Sequence, residues 1–208
     1  MNYEFPDSVL LIFCKAPIIG QVKTRLQPVL SAEQAAEAHL SLTRFTLDRA
    51  FQQPLCAVQL YCAPDGDHIF FRQCVQDYAL TLKNQCGGNL GEKMCNAFSE
   101  ALIHYKHAIL IGCDCPSLTV TDLRLALSYL QKAQEAVIAP AEDGGYVLIG
   151  LNAPQPALFE NIAWGGPRVM TDTLQRASQA SITVQSLKRQ WDVDTPADWA
   201  RYVARFKE

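Results

Sequence analysis

The sequence predicts an α/β fold in which a mostly parallel central sheet carries helices on both faces. Three observations carry that expectation. Apolar runs of strand length alternate with longer amphipathic stretches along the chain, as strands joined by crossover helices do. Runs such as Val9 to Cys14 and Ala108 to Ile111 are apolar throughout, as strands covered on both sides are. Several helical stretches open on recognisable caps. The chain has 208 residues, 49% hydrophobic and 19% charged, and no repeat or linker divides it. Residues 1–208 are therefore expected to form one domain with a full core.

The elements follow in order. Ser8 to Cys14 is the first strand. Ser31 to Gln52 is a helix opened by a capping box, with Ser31 at the cap and Gln34 three residues on. Cys56 to Cys62 is a second strand, Asp67 to Asp77 a helix and Ala79 to Lys83 a short strand. Gly91 to Tyr105 is an amphipathic helix with Met94, Cys95, Phe98 and Leu102 on one side. After the strand Ala108 to Ile111, Thr119 caps the next helix, with Asp122 at its third position. Ala136 to Ala139 and Tyr146 to Leu151 are strands, Pro167 to Gln179 a helix and Ile182 to Ser186 a strand. Thr195-Pro196 opens the last helix, with Asp198 at the third position.

Composition removes several function classes. A formal net charge of −3 argues against nucleic acid or an anionic membrane surface as the main partner. No basic segment precedes Val9 to Cys14, and that run is too short for a signal or a membrane span, so the cytoplasm is the default location. The eight cysteines then read as reduced, small hydrophobes rather than a disulfide framework. Cys113 and Cys115 make only a Cys-x-Cys, and His104 and His107 have no acids nearby in sequence, so zinc is disfavoured.

Four loops carry chemistry, and each has a plainer alternative. Asp114 follows the strand Ala108 to Ile111 and would stand at its carboxyl end, where open α/β sheets bind ligands and where a carboxylate suits a divalent cation; alternatively it caps a turn before Pro116. Lys15 to Arg25, after the first strand, holds three cations, no acid and Gly20. It suits phosphate, although a solvated basic loop has the same composition. It lacks the register of a P-loop, and no Gly-x-Gly-x-x-Gly follows the strand. Pro140 to Tyr146 carries Asp143, Gly144 and Gly145; it is a hairpin signal that can also hold Asp143 in a site. Asp194 directly precedes the last helix and either joins the site or compensates the helix dipole.

Cations after the first strand and acids after later ones suit a nucleoside diphosphate bridged to the protein by magnesium or manganese, for transfer at or next to a phosphate. Asp114 and Asp194 are expected to meet across the carboxyl edge and to repel each other when no metal is bound.

The ordered motifs Phe13-x-Lys15-x-Pro17-x-x-Gly20-x-Val22-Lys23-Thr24-Arg25-Leu26, Leu90-Gly91-Glu92-Lys93-Met94, Gly112-x-Asp114-x-Pro116-x-Leu118, Pro140-Ala-x-Asp143-Gly-Gly-Tyr146 and Asp192-Val-Asp194-Thr resemble the glycosyltransferase-like family called domain of unknown function 2064. That family is also labelled radical SAM/selenodomain-associated transferase 1, and it is similar in fold to the GT-A nucleotide-diphospho-sugar transferases. The resemblance implies a Rossmann-like three-layer GT-A fold and a metal-dependent transferase using a nucleotide-sugar donor. Related guanylyltransferases imply nucleotidyl transfer as the alternative, and a non-catalytic nucleotide or sugar-phosphate binder is the reading from another class.

By position, Lys15, Gly20, Lys23, Thr24 and Arg25 resemble the loop that holds base and phosphates, with Lys23 and Arg25 also serving the transfer. Asp114 and Asp194 resemble the metal-binding acids. Gly91, Glu92 and Met94, with Gly144, Gly145, Tyr146 and Trp164, would line the nucleotide and acceptor pockets, and Asp143 is the candidate base for an acceptor hydroxyl. Cys115-Pro116 follows Asp114 in place of a full Asp-x-Asp, and Gly165-Gly166 follows Trp164 where Ser or Thr is expected. The implied partners are a nucleotide or nucleotide sugar and a small-molecule acceptor; the reading is compatible with a homo-oligomer.

Overall fold

The structure, a computed structural model, describes residues 2–206. Its strands are β1 (Ser8–Lys15), β2 (Ala57–Ala63), β3 (Thr81–Asn84), β4 (His107–Gly112), β5 (Ala136–Pro140), β6 (Tyr146–Leu151) and β7 (Val184–Ser186). The helices are α1 (Ala32–Phe51), α2 (Ile69–Asp77), α3 (Leu90–Ala101), α4 (Val120–Gln131), α5 (Val169–Gln179) and α6 (Pro196–Phe206). Single 3-10 turns occur at Thr24–Leu26 and Pro156–Leu158. The strands form one sheet in the order β3-β2-β1-β4-β6-β5-β7. Pairing is parallel except where β6 runs against β4 and β5. The GT-A-type α/β architecture expected from sequence is therefore present.

The two faces of the sheet follow the strand period of two. Leu10, Ile12 and Cys14 of β1 point to a core built with α1, α2 and α4. Val9, Leu11 and Phe13 point to the opposite core with α3 and α5. α6 packs outside α1, burying Tyr202 with Leu42, Trp191 and Val193.

The capping boxes predicted for α1 and α4 are present, at Ser31 with Gln34 and at Thr119 with Asp122. Some boundaries move, for local reasons. α2 begins at Ile69 because His68 Nδ1 accepts Phe70 N–H at 3.2 Å. α3 begins at Leu90, since Asn89 Oδ1 accepts Glu92 N–H at 3.0 Å, and it ends at Ala101 rather than Tyr105.

Topology positions the site. All strands except β6 point the same way, so the ends of β1, β4, β5 and β7 and the start of β6 lie along one edge. After β1 the chain builds outward through β2 and β3, then returns to lay β4 on the other side of β1. A crevice opens at such a reversal of strand order, and here it falls between Lys15 and Asp114.

Candidate active site

Lys23 is the centre of the site. It adopts a left-handed backbone conformation, φ +48°, which turns its side chain inward until only 7% of it is exposed. The ammonium donates to Asp114 Oδ2 at 2.7 Å, Asp194 Oδ1 at 3.0 Å and the Val193 carbonyl at 2.6 Å. Arg25 Nη1 donates to the other Asp194 oxygen at 3.1 Å from a largely exposed position. Burial alone would lower the Lys23 pKa, but the charges of Asp114 and Asp194 raise it above the usual lysine value, so it is an ammonium. Burial alone would raise the Asp114 carboxyl, and Lys23 instead holds it below the ordinary carboxylate range.

The last helix is capped by Thr195, whose hydroxyl accepts Asp198 N–H while Asp198 accepts Thr195 N–H. The Asp194 carboxylate is therefore used by the two cations rather than by the helix. Asp194 and Asp114 are held together by a backbone bond from Val193 N to Asp114 O, 3.0 Å. The expected meeting of these acids occurs, and the Lys23 ammonium, bonded to both carboxylates, offsets their mutual repulsion.

A third carboxylate, Asp192, belongs to the same cluster: donor oxygens of Asp114, Asp192 and Asp194 lie within 4.8 Å of one another. Sequence reasoning assigned Asp192 no role. The usable signal was its spacing, since residues i and i+2 of an extended segment share a side. Burial, then the neighbouring charges of Asp114, Asp143 and Asp194, push its carboxyl up from 3.8 to about 7. The sign follows. Between pH 4 and 7 the unfolded chain has Asp192 ionised while the folded protein keeps its proton, so this group makes stability fall as pH rises, by up to about 1.4 kcal/mol per pH unit. Metal-free melts across that window should show Asp192→Asn losing this decline; superimposable pH profiles for the two proteins would refute it.

Two cavities meet here. One, of about 430 Å³, is lined by Lys15, Lys23, Thr24 and Arg25 on one side and by Asp114, Asp194, Gln85 and Leu90 on the other. Gln85 Nε2 donates to the carbonyls of Tyr61 at 2.9 Å and Cys14 at 3.4 Å, fastening the end of β1; nothing in the sequence pattern pointed to it. Cys14, His39 and Cys113 also line this cleft. The other cavity, about 210 Å³, is walled by Phe13, Leu90, Met94, Tyr146, Ile149, Trp164 and Val169, with the carboxyl groups of Asp143 and Asp192 in its lining.

The remaining predicted residues divide between these cavities and their supports. Gly20 adopts φ +78° at an exposed turn with open space around it. Gly91 lies under Trp164, where a Cβ would be 2.6 Å from the indole nitrogen, so it permits a contact between α3 and the Trp164 segment. Glu92 accepts Gly88 N–H at 2.8 Å and Asn89 Nδ2–H at 2.7 Å, bracing the start of α3. Gly91 and Glu92 do not line the 430 Å³ cleft; Leu90 does. Asp143 Oδ1 accepts Gly145 N–H at 2.9 Å, so the acid closes its own hairpin turn, and it also lines the smaller cavity. Gly145 and Tyr146 line that cavity, while Gly144 packs behind it.

A doubly covered sheet with a crevice at the β1/β4 switch, cations on one bank and carboxylates on the other, is the architecture of the GT-A type of fold. Residues 46–166 match the family described as uncharacterised protein conserved in bacteria, DUF2064, and the chain belongs to that family. No curated protein matches the sequence.

Among solved structures, the chain is similar to a candidate nucleotide-diphospho-sugar transferase from Desulfovibrio desulfuricans G20, with TM-score 0.87 and 29% identity over 98% of this chain and 89% of that one. It shares the fold of CMP:2-keto-3-deoxy-manno-octonic acid synthetase solved with CTP, at TM-score 0.61 and 12% identity, covering 95% and 97% of the two chains. A Mycobacterium tuberculosis H37Rv protein solved with manganese has TM-score 0.52 and 15% identity, covering 95% and 98%. The neighbours include nucleotide-sugar transferases and cytidylyltransferases, and the fold and site are consistent with a glycosyltransferase-like or nucleotidyltransferase enzyme. Among the described residues, no helix is long and apolar enough to cross a membrane.

Proposed function

We propose that residues 1–208 act as one cytoplasmic, metal-dependent transferase domain that moves a sugar from a nucleotide-sugar donor to an acceptor hydroxyl. The observation that carries this reading is the carboxylate trio Asp114, Asp192 and Asp194, with donor atoms within 4.8 Å of one another, beside a cleft lined by Lys15, Lys23 and Arg25. Hard oxygen donors of this kind fit magnesium or manganese. The bound cation would supply charge neutralisation to the donor's diphosphate.

The chain's own residues do the rest. Lys15 and Arg25 bind the diphosphate. The acceptor oxygen bonds to the sugar's anomeric carbon as the bond from that carbon to the diphosphate oxygen breaks. The acceptor proton passes to Asp143, and the electron pair leaves on the nucleoside diphosphate, whose charge meets Lys15 and Arg25. The apolar walls of the smaller cavity exclude water from the attacking oxygen.

The same cavity favours glycosyl over nucleotidyl transfer. Asp143, which lines that cavity, would repel a phosphorylated attacking group there, whereas a neutral hydroxyl compound with an apolar face suits Phe13, Met94, Tyr146 and Trp164. A nucleotidyltransferase that accepts a phosphorylated substrate is therefore the weaker reading. A panel of nucleotide sugars and nucleoside triphosphates with manganese tests this: release of nucleoside diphosphate supports sugar transfer, release of pyrophosphate overturns it, and tight binding without turnover points to a binding protein. Arg25→Ala is expected to weaken donor binding by about 1.5 to 3 kcal/mol, measured by calorimetry, while leaving the melting temperature of the free protein nearly unchanged, because its side chain is 70% exposed. Unaltered affinity would remove Arg25 from the phosphate site.

A further inference from the structure

We propose that Cys14, His39 and Cys113 form a second, chemically distinct metal site that takes one thiophilic d10 cation, zinc or its close analogues, at the base of the cation cleft. The three residues come from different parts of the sequence. Phe13 of β1 pairs with Gly112, the last residue of β4, so Cys14 of β1 lies beside Cys113, the first residue after β4. Both belong to the core on the α1 side of the sheet. His39, on the buried face of α1, brings Nε2 to 3.8 Å from Cys14 Sγ. The donor atoms of all three residues lie within 4.8 Å of one another. A tetrahedral zinc ion with bonds of about 2.0 to 2.3 Å needs donors roughly 3.5 to 4 Å apart, a small contraction from this geometry.

Charge and access also fit. Two thiolates and a neutral imidazole leave a dication with no net charge to bury, and its binding displaces the two thiol protons to solvent. Thr43 Oγ1 lies 3.6 Å from Cys14 Sγ and donates to the His39 carbonyl at 2.9 Å, so the ligands already have an outer layer. All three ligands line the cleft, which gives the ion an entry path and a water for the fourth position. The carboxylate trio offers hard oxygens and this trio soft sulfur and nitrogen, so the two sites select different cations. His39 Nε2 is also 2.8 Å from the Lys15 carbonyl, to which it donates in the metal-free protein; ligation through Nε2 breaks that hydrogen bond and places the imidazole proton on Nδ1, so the ring stays neutral and the two thiol protons are the ones released.

The test is a cadmium titration of the reduced, chelator-treated full-length protein, read by the ultraviolet charge-transfer band of cadmium–thiolate bonds and by proton release. One equivalent is expected to saturate the band with two protons released. The band should be lost in Cys14→Ser and Cys113→Ser and kept in Cys86→Ser, where the thiol is exposed. Absence of a saturable band in the wild type, or its survival in both buried-cysteine variants, overturns the site. X-ray absorption of zinc-loaded wild-type protein does not depend on those variants folding: two sulfurs and an imidazole nitrogen in the first shell are expected, and a shell of oxygen and nitrogen alone overturns the proposal.

Discussion

Replacing Lys23 with methionine is expected to destabilise the metal-free protein by about 3 kcal/mol, the lower end of the cost of breaking a buried ion pair, and manganese is expected to restore most of that loss. The lower end applies because Asp114 and Asp194 keep 31% and 39% of their side-chain surface exposed, where solvent screens them. Methionine keeps much of the bulk and removes three hydrogen bonds and the charge. What remains is a cluster of carboxylates that, among the described residues, keeps the exposed Arg25 as its other bonded cation. A divalent ion bound there compensates them again and stabilises by mass action, whereas in the wild type it must first displace an ammonium. Denaturant unfolding of both proteins near pH 7.5, with and without manganese, measures the effect. An equal deficit in both conditions would show that Lys23 is not doing a cation's work at this site.

Gly144→Ala is expected to cost about 3 kcal/mol or to prevent folding, for two separable reasons. The residue has φ +93°, a conformation that strains any residue with a Cβ. Its Cβ would also lie 2.0 Å from the Pro167 carbonyl oxygen, a backbone atom. That contact cannot relax alone, because Gly144 O accepts Met170 N–H at 2.9 Å and so fixes the start of α5. Gly165→Ala is the control: φ is +80° there, and nothing lies within 4 Å of the added carbon, so only the conformational cost of about 1 kcal/mol is expected. Equal urea midpoints for the two variants would mean that the collision at Gly144 is absorbed without penalty.

Much of the fold was legible because its signals are local. The apolar runs became strands, and Ser31 and Thr119 cap helices as their neighbours three residues on required. The placement of Asp114, Asp143 and Asp194 along one edge was also legible, because each follows or precedes an element whose direction the α/β pattern implies. Contacts that bridge distant parts of the sequence were not. Lys23 reads in sequence as a phosphate-holding cation of a basic loop, with a solvated loop as the alternative; its left-handed backbone and its reach to residues 91 and 171 positions away leave no periodic trace. The same holds for Cys113. In sequence its neighbour is Cys115, yet Cys115 turns to the Trp191 carbonyl at 3.3 Å, and Cys113 instead meets Cys14, which strand pairing alone brings beside it. Gly91 shows the converse case: a motif residue whose small size serves packing against Trp164 rather than direct contact with the cleft.

The reversed direction of β6 has a consequence for how such a chain can diversify. Because β6 runs against its neighbours, its first residue stands at the site and its last at the far edge, and residues 152–168 must travel back across the α3 side before α5 begins. That return path carries Trp164, one wall of the smaller cavity, and contributes no strand to the sheet. Changes at its exposed positions can reshape the apolar cavity without shifting any register, while the cation cleft, assembled from the ends of β1 and β4 and from residues 192–194, keeps its geometry. One half of the binding surface is thus fixed by side-chain packing, through the buried Leu158 and Phe159 and the contact of Trp164 with Gly91, while the other is pinned by the sheet.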